Sequence, residues 1–110
     1  MRLKNLTPHS VTIVLPNGES TTLPPEGTVP RRETITQNVG EINGIPVVRN
    51  VLGPVIGLPE PEEGTVYIVP FLVASALPER DDLIAPDTTP ASVVRDDQGR
   101  IVGVKRLQKA

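Results

Sequence analysis

The chain has 110 residues, of which eleven are basic and thirteen acidic, with one histidine, no cysteine and a formal net charge of −2. That length suits one hydrophobic core, so residues 1–110 are read as a single β-rich domain. The charge offers no general attraction to a nucleic-acid backbone or an anionic membrane, and the missing thiols exclude disulfides, thiolate zinc sites and cysteine nucleophiles.

Fifteen valines and eight isoleucines are set among thirteen prolines and nine glycines. Branched Cβ atoms suit a pleated sheet, and proline removes the amide that a long helix needs, so short strands are expected with at most one short helix. The opening MRLKNLTPHS lacks the apolar run of a signal peptide, and no segment approaches the roughly 20 apolar residues of a membrane span. A soluble protein of the cytoplasm is the expectation.

Along the chain, SVTIVLPNGESTTLP (10–24) places a β-branched run before Asn17-Gly18, a dipeptide that favours a hairpin turn. Residues 33–39 alternate in the manner of a strand with one wet face. A second Asn-Gly at 43 and 44 precedes the apolar run Ile45 to Leu52, and Gly53-Pro54 interrupts it, which predicts strands joined by a turn and a bulge. LPEPEEG reads as an exposed connection. TVYIVPFLVASALP is the most apolar stretch: Thr65 to Val69 is expected as a central strand, while Leu72 to Leu77 either continues it or forms one helical turn before Pro78. Tyr67 and Phe71 are expected in the core. ASVVRDDQGRIVGVKRL has two β-branched runs around Asp96-Asp97-Gln98-Gly99 and predicts a closing hairpin, followed by a solvated basic tail. The sum is a meander of about six to eight short strands, mainly β, closed as a small barrel or a sandwich.

Candidate chemistry is sparse. ALPERDDLIAPDTTP (76–90) gathers Arg80, Asp81, Asp82 and Asp87. In an extended chain Asp81 and Asp82 project to opposite faces, which disfavours a shared metal; one pairs with Arg80 or caps a turn. The expectation is that Arg80 and one aspartate face a pocket shared with Asn5, Thr7 and His9, while the other aspartate holds the turn. His9 lacks a second histidine or an H-E-x-x-H spacing, so no metal site is expected. No phosphate-binding glycine motif is present and no cofactor is implied. Separate arginines, among them Arg31, Arg32, Arg49, Arg80 and Arg95, offer forked bonds to phosphates.

As a combination, NLTPHSVTIV, VGEINGIPVV, GLPEPEEGTVYIV, ERDDLIAPDT and RDDQGRIVGVKRL resemble small uncharacterised proteins encoded by phages, prophages and other bacterial mobile elements, over nearly the full chain. The resemblance implies a bacterial host cell and action by binding, either to a host protein or to a small signalling molecule. The first expectation is an accessory protein that counters host defence by sequestering a nucleotide-derived ligand. Arg80 and Arg95 would meet phosphates, and Asn5, Thr7, His9, Asp81, Asp82 and Asp87 would meet ribose or base. The second is a protein-interaction or virion-assembly module that uses a strand edge or self-association into a homo-oligomer. The third is a small hydrolase in which His9 works with Asp81, Asp82 or Asp87. Convergence of the named side chains in one pocket would favour the first; scattered, locally bonded side chains would favour the second.

Overall fold

The computed structural model describes residues 1–110. The elements in chain order are β1 (Arg2–Asn5), β2 (Val11–Val14), β3 (Ser20–Leu23), β4 (Arg31–Ile42), β5 (Ile45–Ile56), β6 (Thr65–Ile68), α1 (Phe71–Ala76), β7 (Leu83–Pro86), β8 (Val93–Arg95), β9 (Ile101–Val104) and β10 (Leu107–Gln108). The protein is mainly β with one short helix. The strands form two four-stranded sheets, ordered β1-β6-β7-β10 and β3-β2-β9-β8, and a separate two-stranded ribbon of β4 and β5. The arrangement is sandwich-like, and the sheets do not close into a barrel. Where six to eight strands were expected there are ten. Segments as short as Leu107–Gln108 carry too few residues for an alternation to register.

The connectivity corrects the expectation of a meander. β1, β6 and β7 run parallel, and β2 pairs with β9 in parallel, so the chain crosses between the sheets instead of turning back at each step. Thr65–Ile68 lies between two neighbours and is buried at Thr65, Tyr67 and Ile68, in keeping with its unbroken apolar sequence. The other open question, residues 72–77, resolves as helix: Pro70 sits at the N-cap with φ −57°, a value its ring imposes, and Pro78 follows the C-cap Leu77. Val73 and Ala74 of α1 close a core of Leu6, Tyr67, Val69 and Leu83, against which Val55, Leu58 and Leu77 also pack. Burying each of the larger side chains contributes about 1.5–3 kcal/mol. Phe71, expected inside, is 42% exposed. It occupies the first helical position, turned away from the face that Val73 and Ala74 bury.

Both expected outer hairpins are present, Val11–Val14 with Ser20–Leu23 and Val93–Arg95 with Ile101–Val104. The basic tail is not free. Leu107 and Gln108 pair with Pro86 and Ala85, and the Gln108 Nε2 donates to the Pro86 carbonyl oxygen at 3.0 Å. The tail therefore completes the edge of the first sheet.

The radius of gyration is 17.0 Å and the extents are 55 × 40 × 22 Å, whereas a compact chain of this length has a radius of about 13 Å. The excess comes from the ribbon. β4 and β5 are twelve residues each, long enough to reach about 40 Å, and they leave the body as an arm.

Candidate functional site

Asn5 ends β1 and fixes the corner where the chain passes from one sheet to the other. Its Nδ2 donates to the carbonyl oxygens of His9 (2.9 Å) and Leu23 (2.8 Å), and its Oδ1 accepts from the Thr7 amide (2.9 Å) and hydroxyl (2.6 Å). A side-chain amide has two N–H groups and two lone pairs, and all are used. Glu26 donates its amide to the Asn5 carbonyl oxygen, so β1, the 6–10 corner and the end of β3 are tied to one residue. The Thr7 hydroxyl also lies 2.9 Å from the His9 carbonyl oxygen. Asn5 and Thr7 are thus occupied by structure, and the His9 ring is exposed with no hydrogen bond inside the chain.

Arg80 and Asp82 form a bidentate pair, Nε to Oδ1 and Nη2 to Oδ2, both 2.7 Å, and Arg80 also donates to the Pro59 carbonyl oxygen. The hydrogen bonds from Arg80 hold the Asp82 carboxyl below its usual range, and Asp82 in turn raises Arg80. Asp81 is exposed, and its carbonyl oxygen accepts from Lys109 Nζ. Arg95 donates to the Gly99 carbonyl oxygen within the β8–β9 turn, where Asp96 is bonded by the amides of Gln98 and Arg100.

These residues do not share a pocket. Asp82 precedes β7 while Asn5 ends β1, and in three parallel strands in register those positions lie at opposite ends of the sheet. The end that carries Asn5, Thr7 and His9 carries Asp87 instead. Asp87 is 5% exposed, forms an ion pair with Arg106 Nε and accepts from the Thr89 amide at 3.0 Å. The Arg106 bond is the main reason its pKa falls from 3.8 to about 2. A carboxyl depressed in the folded state stabilises above its unfolded pKa, and that contribution disappears as pH falls from about 4 towards 2. In an acid titration followed by circular dichroism, Asp87→Asn should therefore flatten the loss of stability across that interval and leave the region above pH 5 with the same slope. An unchanged acid limb would contradict the pairing.

The only concavity that receives a predicted residue is a shallow one of about 340 Å³ lined by His9, Ser10, Thr88 and part of β9. Neither Arg80 nor Arg95 borders it.

The arm presents a larger feature, one that sequence reading passed over. Its turn is Asn43-Gly44 with φ 54° and 80°, the positive values of the tight hairpin connection. Pairing outward gives Ile42 with Ile45, Gly40 with Val47, Gln37 with Arg49 and Ile35 with Val51, with irregularities at Asn38/Gly40 and Arg32/Thr34. Because side chains alternate, one face carries Ile35, Ile42, Ile45, Val47 and Val51. The other carries Thr34, Thr36, Asn38, Glu41 and Asn50, with Thr36 bonded to Asn50. On the apolar face Ile35, Ile42, Ile45 and Val51 are 52%, 63%, 63% and 41% exposed. These add up to a contiguous patch of a few hundred Å², the scale at which exposed apolar surface marks a docking face. The sequence signal was available: counting register outward from Asn43-Gly44 sets Ile42 against Ile45 and aligns the remaining apolar residues behind them.

No protein-family model, curated protein or solved structure matches this chain. Fold and site together define a small β body bearing an amphipathic two-stranded arm.

Proposed function

We propose that the protein is a protein-interaction module, an accessory assembly factor in the phage or mobile-element setting its sequence resembles, and that the arm is its working surface. The observation that carries this reading is the uncovered apolar face of β4 and β5. A two-stranded ribbon is marginal alone in water, and the body core contains no residue between Arg32 and Gly53, so a face of this kind is built to be covered by something else. The scattered, locally bonded state of Asn5, Thr7, Arg80, Asp82, Asp87 and Arg95 supports the same reading over sequestration of a nucleotide-derived ligand. The His9 concavity is the one place that favours the ligand reading, and it lacks the arginines expected to meet phosphates.

The test is site-specific photo-crosslinking in the native host. A crosslinker in place of Ile42 should give protein adducts, and one in place of Thr21 on the outer strand β3 should not. Absence of protein adducts from the arm, together with a small molecule retained by the purified protein in native mass spectrometry, would overturn the proposal in favour of sequestration.

A further inference from the structure

The apolar face of the arm carries two charges as well. Glu33 stands at its root, two residues before Ile35 and on the same side, as the 3.3 Å approach of its Cβ to a side chain built at Gly53 indicates. Arg49 stands two residues beyond Val51 towards the tip. Neither takes part in any of the four ion pairs of the chain, although each projects from an otherwise apolar surface. They flank the Ile35–Val51 pair at equal distances, one on either side.

That spacing is self-complementary. We propose that the arm docks face to face with the arm of a second copy of this chain, antiparallel, with the two-fold axis through the Ile35–Val51 pair. This rests on the reading of the arm as the working surface and names its occupant. In this arrangement residues displaced by two positions towards the root meet residues displaced by two towards the tip. Glu33 of each copy then faces Arg49 of the other, and Ile35 and Val51 meet their own counterparts at the axis. Two-fold contacts of this sort, in which the same patch serves both subunits, are the commonest form of self-association. A partner of other chemistry would have to supply both an acid and a base at matching spacing, and a second copy does so without further assumption.

Area points the same way. A ribbon face about 40 Å long and two strands wide offers about 400 Å², and a stable interface buries about 800 Å² on each side. The arms alone supply roughly half. Ile42 and Ile45 lie about 20 Å beyond the axis, which carries each tip past the Arg31–Ile56 pair of the other copy and onto its body, where the remaining area is available. Charge pairs that flank an apolar centre set register and orientation more than affinity, which is the role the stacking assigns to Glu33 and Arg49.

Sedimentation equilibrium of the full chain should give a dimer. Ile35→Glu should leave only monomer, and E33R or R49E alone should raise the dimer Kd at least tenfold. The double variant E33R/R49E should recover most of the affinity, because reversing both members restores opposite charges across the axis. Circular dichroism of each variant should match the parent, since none of the three residues touches the body core. A dimer indifferent to all these changes would overturn the proposal. So would a monomer at ~100 μM, a concentration that reveals Kd values well into the micromolar range. If that monomer still gave adducts to another protein from Ile42, the interaction reading would survive and the second copy would not; if it gave none, both would fall.

Discussion

Asn5→Ala should destabilise the protein by about 3 kcal/mol, because it removes two donors and two acceptor sites from a buried position and leaves several partners unsatisfied, at about 1–3 kcal/mol for each such group. Asn5 is fully buried, and water does not replace the lost amide without opening the corner. The carbonyl oxygens of His9 and Leu23 and the amide of Thr7 would all lose a partner. For a domain of this size the change lowers the unfolding midpoint by about 12–20 °C. Thr7→Val, which removes a hydroxyl and keeps the amide, should cost about 1 kcal/mol. Urea unfolding checks both, and an Asn5→Ala variant within 1 kcal/mol of the parent would show that the corner is held by something other than this side chain. The ordering of the two costs follows from the count of bonds, four at the Asn5 amide against two contacts sharing one hydroxyl proton.

The second large effect concerns the arm. Left alone, its backbone ladder should open readily, since two strands with an exposed apolar face gain little from burial. A partner seated on that face stabilises whatever it binds, by about 2.7 kcal/mol at a concentration of 100 Kd. Amide exchange within residues 34–52 should therefore slow by about a hundredfold between the free and the associated states. The body should behave differently: the amides of β6 and β7, flanked by strands on both sides and lined by Tyr67, Val69 and Leu83, should be protected at every concentration. Pro46 and Pro54 shape how the arm can be covered. Pro46 sits one residue past the pair that flanks the turn, and Pro54 sits at an irregularity in the ladder; there a missing donor costs least, and it blunts the outer edge of β5 against further strand addition. Association through the face is favoured over association through that edge.

The legible part of the sequence was local. Asn17-Gly18, Asn43-Gly44 and Asp96-Asp97-Gln98-Gly99 marked turns because their side chains or their lack of one bias φ, and all three turns join the hairpins they suggested. The central strand from Thr65 declared itself through unbroken apolar character. What stayed hidden depends on partners distant in sequence. Parallel pairing of β1 with β6, 63 residues away at Arg2 and Thr65, leaves no periodic trace beyond a short apolar segment. The same reason separates the expected site. Arg80 and Asp82 were near Asp87 in sequence, yet a strand lies between them, and its four residues carry the two ends apart. The turn role expected for one aspartate is seen at Asp82, while Asp87 finds Arg106 in a tail that looked free. The N-terminal NLTPH segment was read as chemistry because Asn, Thr and His are common in sites, and the same hydrogen-bonding capacity serves here to fasten a corner.

The central claim is that the apolar face of the arm is covered when the protein works. Hydrogen–deuterium exchange followed by mass spectrometry, on the full chain across a dilution series, tests it most directly. The account predicts that peptides spanning residues 34–52 gain protection by about a hundredfold as concentration rises, while peptides of β6 and β7 do not change. Arm amides that exchange at one rapid rate throughout the series, in the purified chain and in host extract alike, would contradict it.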